Sequence, residues 1–270
     1  MTKTNFTSLA AILCLTAVIF GWLPVRADDD DKKGKAGGAS ACAGLPSHAQ
    51  LKAALTNARG QANGGFNLDM WGTIVNRDGV VCAVAFTGNS RGEQWPGSRV
   101  ISAQTANTPN AFTLPGLALS TANLFTATQP GGSLYGLQHS NPVDTNAAYG
   151  GNPQNNGQPN DGMVGEKIGG VNVFGGGLAL YNSTRTIIGA LGVSGDSSCA
   201  DHNIAWRTRN LLLLDYVPSG VSGDASRPDN IVYDITPQAG QMSGVSASGW
   251  GHPACSAAAT AAAAALPVKR

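Results

Sequence analysis

One continuous stretch, residues 169–209, constrains the fold of this chain most, because it contains a hairpin, a glycine exit and a capped helix in succession. The apolar runs Leu178–Tyr181 and Thr186–Val193 flank a polar turn, which predicts two antiparallel strands. Gly-Asp-Ser-Ser then provides side chains that cap backbone N–H groups, so a helix begins there. Asp201 and His202 fall in the first turn of that helix.

Small residues mark the approach to this hairpin and its second strand. The short apolar run Val171–Phe174 precedes the triple glycine Gly175–Gly177 and predicts a further short strand. In the second strand of the hairpin, Gly189 and Gly192 are followed by Gly195 at the exit. Glycines inside a strand indicate that backbone or a ligand approaches closely.

Upstream, the pattern predicts a helix followed by a second hairpin. Ser47 and Gln50 have the spacing of a capping box, and the helix is expected to end near Arg59. Leu68–Asn76 and Val80–Phe86 read as two strands joined by a tight Arg-Asp-Gly turn.

The first 44 residues read as targeting and linker sequence. Residues 1–27 have a basic start, an apolar centre and a small-x-small cleavage signal, which predicts a signal peptide; a retained membrane anchor is the alternative. Residues 28–44 form a charged, flexible leader whose DDDDK also matches an engineered cleavage tag. We therefore expect a secreted or periplasmic protein with no stable membrane span after processing.

The charge balance of the mature chain argues against nucleic acid as a partner. Without Lys3 and Arg26 of the signal peptide, 15 basic residues remain against 16 acidic ones. Charged residues make up only 12% of the chain, about half the usual share. No basic stripe exists to neutralise phosphates.

Four cysteines remain in the mature chain, and in an exported protein this even number predicts two disulfides rather than a metal site. Three pairings are open. Cys42 precedes the first helix, and the antiparallel return of the next strand brings Cys82 near the start of that helix. We therefore favour Cys42–Cys82 and Cys199–Cys255.

Two segments lack a regular pattern. Residues 129–170 are rich in Gly, Asn and Pro, and read either as a decorated surface loop or as a lid over the Gly175–Gly177 segment. Residues 236–270 are of low complexity and end in an alanine run, so little fixed structure is expected there except at Cys255. Residues 45–235 are left as the folded domain.

The order of these motifs resembles the GlcG/HbpS heme-binding family, which is related to the C-terminal domain of PduO-type proteins. The resemblance rests on VNRDGVVCAV after a capped helix, then GGGLAL, then IIGALGVSGDSSCADHNIA, and it extends over roughly residues 45–216. It implies an α/β (α+β) fold of the profilin-like type, a five-stranded antiparallel sheet flanked by helices. It also implies heme binding and assembly into a homo-oligomer. The sequence departs from the family pattern at Asn76, at Leu178-Ala179 and at Gln104-Thr105.

Heme needs an apolar slot, axial ligands and partners for its propionates. His202 is the favoured iron ligand, because a helix N-terminus favours the neutral imidazole that binds metal. His139 in the long loop and His48 at the first helical position are further candidates, and Arg99 is a candidate propionate partner. His252, in the tail, is a weaker candidate for the iron ligand. The glycine-lined edge ending at Gly195 would let the flat ring lie against backbone.

Enzyme motifs are weak, and whether the chain is an enzyme stays open, with a non-catalytic role favoured. GDSSC superficially matches the GDSG of trypsin-like proteases, but no A-A-H-C stretch precedes it and Ser198 replaces the glycine. The leading hypothesis is therefore an exported protein that holds or relays heme or a related tetrapyrrole. The alternatives are an enzyme of heme breakdown or of small hydroxyacid or corrinoid metabolism, and a cofactor-free structural oligomer.

Overall fold

The computed structural model describes residues 41–270, so the predicted signal peptide and most of the leader lie outside the described residues. Its centre is a four-stranded sheet of β1 Trp71–Asn76, β2 Val81–Phe86, β3 Gly177–Tyr181 and β4 Ile187–Ser194. The strands are ordered β2-β1-β4-β3, and each neighbouring pair is antiparallel. Both predicted hairpins are therefore present, with ends within a few residues of the predicted ones.

The α/β (α+β) class is confirmed, but the expected count of five strands in one sheet is wrong for the described residues. Two further strands, β5 Ile235–Gln238 and β6 Gln241–Ser246, form a separate two-stranded sheet. Irregular segments pair with the outer strands of the main sheet instead. Val81 of β2 exchanges backbone hydrogen bonds with residues 165–166, and the Tyr181 N–H of β3 donates to the Leu214 carbonyl at 2.9 Å.

Helices cover both faces of the sheet. On one face lie α1 His48–Arg59 and α6 Ser198–Leu211, and on the other lies α2 Ser98–Phe112. The neighbours Ile74 and Val75 of β1 belong to two different hydrophobic clusters, because successive side chains of a strand point to opposite faces.

Local capping explains where two of these helices begin. The side chain of Ser47 accepts the Gln50 N–H, and the Gln50 side chain accepts the Ser47 N–H, so the predicted capping box is present. Ser197 caps α6 in the same position, by accepting the N–H of Ala200. The predicted strand over residues 171–174 is not formed, and that segment is irregular.

Residues 129–170 form an ordered layer over β2 and α2. The 3-10 turn Thr121–Leu124 and the short helix α3 Phe125–Thr128 precede this region. It contains the short helices α4 Leu137–Ser140 and α5 Thr145–Tyr149 and a 3-10 turn at Pro153–Asn155. Met163 and Ile168 are fully buried in the same cluster as Trp71 and Phe86. Neither alternative from the sequence describes it well, because the segment completes the second core.

The C-terminal segment also belongs to the core, so the expectation of little fixed structure there is wrong. Helix α7 Ala257–Ala264 buries Ala259 and Ala263 against α6, and Leu266 is 1% exposed. Asn203 of α6 donates to the Ala259 carbonyl, and the indole N–H of Trp206 donates to the Pro267 carbonyl. An alanine helix has no amphipathic pattern, so only these contacts across the fold reveal its place.

Two disulfides tie the termini of the described chain to the domain. Cys42 is bonded to Cys82, and Cys199 to Cys255, which are the two pairs that the sequence favoured. The second bond joins the first turn of α6 to the C-terminal segment just before α7. No helix among the described residues has the length and hydropathy needed to cross a bilayer.

Candidate functional site

His202, the favoured ligand, lies on the inner face of α6 and has no exposed surface. Its Nε2 is 3.1 Å from the Asn230 side-chain oxygen, which also accepts the Ile231 N–H at 2.9 Å. The Ile231 N–H also lies 3.1 Å from Nε2, so this nitrogen contacts both a hydrogen-bond acceptor and a hydrogen-bond donor. No partner within the described part of the chain satisfies Nδ1.

Burial fixes the charge of this imidazole. Removal from water lowers the pKa of His202 to about 4, an effect partly offset by the Asp229 carboxylate and the hydrogen bond to Asn230. The ring is therefore neutral at pH 7, the form that binds a metal. Its chemistry suits an iron ligand, but its side chain is closed off from solvent.

The other predicted heme residues lie at separate places. His139 is exposed on α4, and no hydrogen bond from the described residues engages its ring. The half-buried His48 is held by the Gly157 carbonyl, 2.8 Å from its Nε2. Arg99 is 4% exposed and donates to both carboxylate oxygens of Asp161, with Nε 2.9 Å from Oδ2, so its charge is already paired.

The glycine-lined strand does not offer a slot for a ring. A Cβ on Gly192 would overlap the Ser102 carbonyl of α2, and one on Gly189 would overlap the Val75 carbonyl of β1. Backbone, and not a ligand, is what approaches this strand. The expectation that heme lies against the edge ending at Gly195 is therefore wrong for this structure.

The carboxylates at the start of α6 are structural. Asp201 is 5% exposed and accepts the Asp196 N–H at 2.8 Å; burial raises its pKa well above the usual value. Asp196 accepts the N–H groups of Phe66 and Leu68, and so fixes the entry to β1. Both side chains hold the loops around the helix start.

The constellation that the sequence reading missed joins Ser198 at the start of α6 to His252. The Ser198 Oγ and His252 Nε2 atoms are 2.8 Å apart, and the Gly175 N–H donates to the same Oγ at 2.7 Å. His252 Nδ1 lies 2.7 Å from the Pro253 carbonyl. His252 was expected in an unstructured tail, yet it is 4% exposed and packs on Phe125 with ring centres 5.0 Å apart.

A cavity of about 690 Å³ borders two residues that contact His252. Phe125 and Pro253 line it, together with residues of the β5–β6 hairpin such as Ile235 and Gln238. Its walls are mainly apolar and include none of the histidines. The sequence offers no signal for it, because the hairpin packs there through contacts distant along the chain.

Comparison with known proteins places most of this domain in one family. The family model described as "Haem degrading protein HbpS-like" matches residues 47–209, more than half of the chain. The chain belongs to the HbpS-like family. The match includes His48, His139 and His202, and ends before the C-terminal segment that contains His252.

Two solved structures are similar to the chain at a low level. The Klebsiella pneumoniae protein ORFY is 24% identical, with a TM-score of 0.41 over 61% of this chain and 87% of that chain. A PduOC:heme complex is 23% identical, with a TM-score of 0.42 over 60% of this chain and 89% of that chain. Among curated proteins, no match was found.

The residues predicted to bind heme fit that role only in part. A site needs a ligand nitrogen that the iron can reach, and His139 offers one on the surface while His202 offers one in the interior. Arg99 does not fit the propionate role, because Asp161 neutralises it. The predicted residues therefore do not form a single pocket.

Proposed function

We propose that this chain is an exported heme-binding protein that holds or relays heme. The observation that carries the proposal is the HbpS-like family match over residues 47–209. The two disulfides are consistent with an oxidising compartment, which supports export. Assembly of several copies, implied by the family resemblance, is part of the same proposal.

We propose His139 as the axial ligand, because among the three predicted ligands it is the histidine that iron could reach without rearrangement of the fold. Its imidazole is exposed, whereas iron would reach His202 only if α6 and the segment around Asn230 separated. His48 would first have to release the Gly157 carbonyl. The three histidines therefore differ in how much of the fold must rearrange before each can bind iron, and this difference makes the assignment testable.

Hemin titration of the mature protein, followed at the Soret band, tests both heme binding and the assignment of His139 as the ligand. The unaltered protein should shift the band with a saturating end point, and His139→Ala should weaken binding by about tenfold or more, because a metal–ligand bond is lost. His48→Ala is the matched control and should bind like the unaltered protein. No shift in the unaltered protein would overturn heme binding, and a loss confined to His202→Ala would overturn the His139 assignment.

Heme breakdown is the second candidate, favoured by the description of the family as heme-degrading. It requires the bound heme to be consumed. With an electron donor and a peroxide scavenger present, decay of the Soret band would support degradation, and a band stable over the same period would support holding or relay.

A further inference from the structure

We propose that Ser198 is an activated nucleophile that takes acyl groups from small esters, with His252 as its general base. This activity is independent of heme, and its base lies beyond the part of the chain that matches the family. The proposal rests on three connected hydrogen bonds that fix where each proton sits.

The first step of the argument is the tautomer of His252. The Pro253 carbonyl can only accept, so the nitrogen 2.7 Å from it, Nδ1, carries the ring proton. Nε2 is then left with its lone pair and accepts the hydroxyl proton of Ser198 at 2.8 Å. This is the nucleophile–base–orienter order of serine hydrolases, with a backbone carbonyl as the orienting group.

The second step is the orientation of the serine itself. The Gly175 N–H donates to Oγ at 2.7 Å, which occupies one lone pair and directs the hydroxyl proton to His252. Ser198 is half-buried, whereas His252 is nearly enclosed. Burial also lowers the pKa of His252, so the imidazole is unprotonated at neutral pH.

The third step is what would stabilise the developing oxyanion. Ser198 is the first residue of the 14-residue helix α6, where N–H groups without intrahelical partners favour negative charge. The N–H of the next residue, Cys199, points to the sulfur of Cys255 at 3.2 Å, a weak acceptor. A carbonyl oxygen on the reacting ester is a stronger acceptor for that N–H group.

The substrate class follows from the surroundings. The cavity of about 690 Å³ includes neither Ser198 nor His252 in its lining, but it borders Phe125 and Pro253, which contact His252, and its apolar residues suit a short aliphatic acyl chain. No charged side chain lines that cavity, which disfavours a charged substrate.

The reaction balances without a redox partner. Ser198 Oγ forms a bond to the acyl carbon as its proton passes to His252 Nε2, and the ester C–O bond breaks as that proton passes to the leaving alcohol. Water, deprotonated by the same nitrogen, then releases the acid and restores the serine. A fluorophosphonate reacts by the same first step and stops there, with fluoride as the leaving group.

The disulfide positions the two halves of this pair. Ser198 and His252 are 54 residues apart, yet Cys199 and Cys255 are bonded beside them. Opening this bond should let His252 move away from Ser198, whereas opening Cys42–Cys82 should not.

The test is labelling of the full mature protein with a fluorophosphonate, followed by peptide mass spectrometry. Ser198 should carry the label, and p-nitrophenyl butyrate should be hydrolysed with a burst of at most one equivalent per chain. His252→Gln should slow both reactions by about 100-fold or more. Ser133→Ala, an exposed serine, is the matched control and should leave both rates unchanged.

Two readouts separate catalysis from a merely structural bridge. The labelling rate should rise with pH through an inflection below 6.5, where His252 loses its proton, and Cys199→Ser with Cys255→Ser should slow it. An absence of label, a label on another residue, or a rate that His252→Gln does not change would each overturn the proposal. Because the label is mapped on the unaltered protein, the result does not depend on whether a variant folds.

Discussion

Arg209 and Asp229 form a two-pronged ion pair in which neither side chain has any exposed surface. The Nη1–Oδ2 distance is 2.6 Å and the Nη2–Oδ1 distance is 2.8 Å. The guanidinium also lies 4.6 Å from the ring centre of Trp206. This pair holds α6 against the segment before the C-terminal region.

Removing one partner of this pair should be costly, because it leaves a buried charge without compensation. Asp229→Asn should lower the free energy of unfolding by about 3–5 kcal/mol, measured by urea denaturation. Asp224→Asn is the matched control, since its pair with Arg227 is partly exposed; it should cost under about 1 kcal/mol. Equal losses in the two variants would contradict this account.

Stability should fall in mild acid because of His202. Its pKa is about 4 in the folded chain and near 6.5 when unfolded, so below pH 6.5 the unfolded chain takes up a proton that the folded chain does not. The unfolding free energy should therefore decrease from pH 6.5 to about pH 4, by up to about 3 kcal/mol from this residue.

Urea titrations at several pH values check this, with His202→Gln as the comparison. The glutamine amide can still donate to Asn230 but does not titrate. Between pH 6.5 and about pH 4, the unfolding free energy of the variant should fall by up to about 3 kcal/mol less than that of the unaltered protein. Equal decreases in the two proteins would refute the prediction. The remaining slope should include His252, whose pKa burial also lowers.

Gly192 should tolerate no side chain. A Cβ there overlaps the Ser102 carbonyl, so Gly192→Ala must push α2 away from the sheet and should cost about 1–3 kcal/mol or more. Gly116→Ala is the control, since open space surrounds that position. Thermal unfolding of both variants measures the difference, and a neutral Gly192→Ala would mean that α2 is not packed as described.

The C-terminal segment should contribute to stability through Leu266. Leu266→Ala should lower the unfolding free energy by about 2–5 kcal/mol, because it leaves a cavity against α6. Val268→Ala, 55% exposed, should change it by less than about 0.5 kcal/mol. Similar small effects in both would restore the view of a loosely structured tail.

Signals carried by neighbouring residues could be predicted from the sequence. The capping box at Ser47, the hairpin ending at Phe86 and the cap before α6 each depend on residues within a few positions, and each is present. The cysteine pairs were favoured for a topological reason, since an antiparallel return places Cys82 near Cys42.

Contacts between distant residues could not be predicted in this way. Arg99 looked free because its partner Asp161 is 62 residues away, in a segment with no regular pattern. His252 looked like a tail residue because its partner Ser198 is 54 positions upstream. Composition describes a segment but not the surface on which it packs, so the four strands of the main sheet and helices α1 and α6 could be located, whereas the partners of Arg99 and His252 could not.

The outer strands of the sheet have a further consequence for self-association. Backbone groups of Val81 on one side of the sheet and of Tyr181 on the other are hydrogen-bonded to irregular segments of the same chain. A strand from a second molecule could not pair with the sheet at these two positions, so each segment shortens the edge that is open to the edge-to-edge growth that leads to fibres.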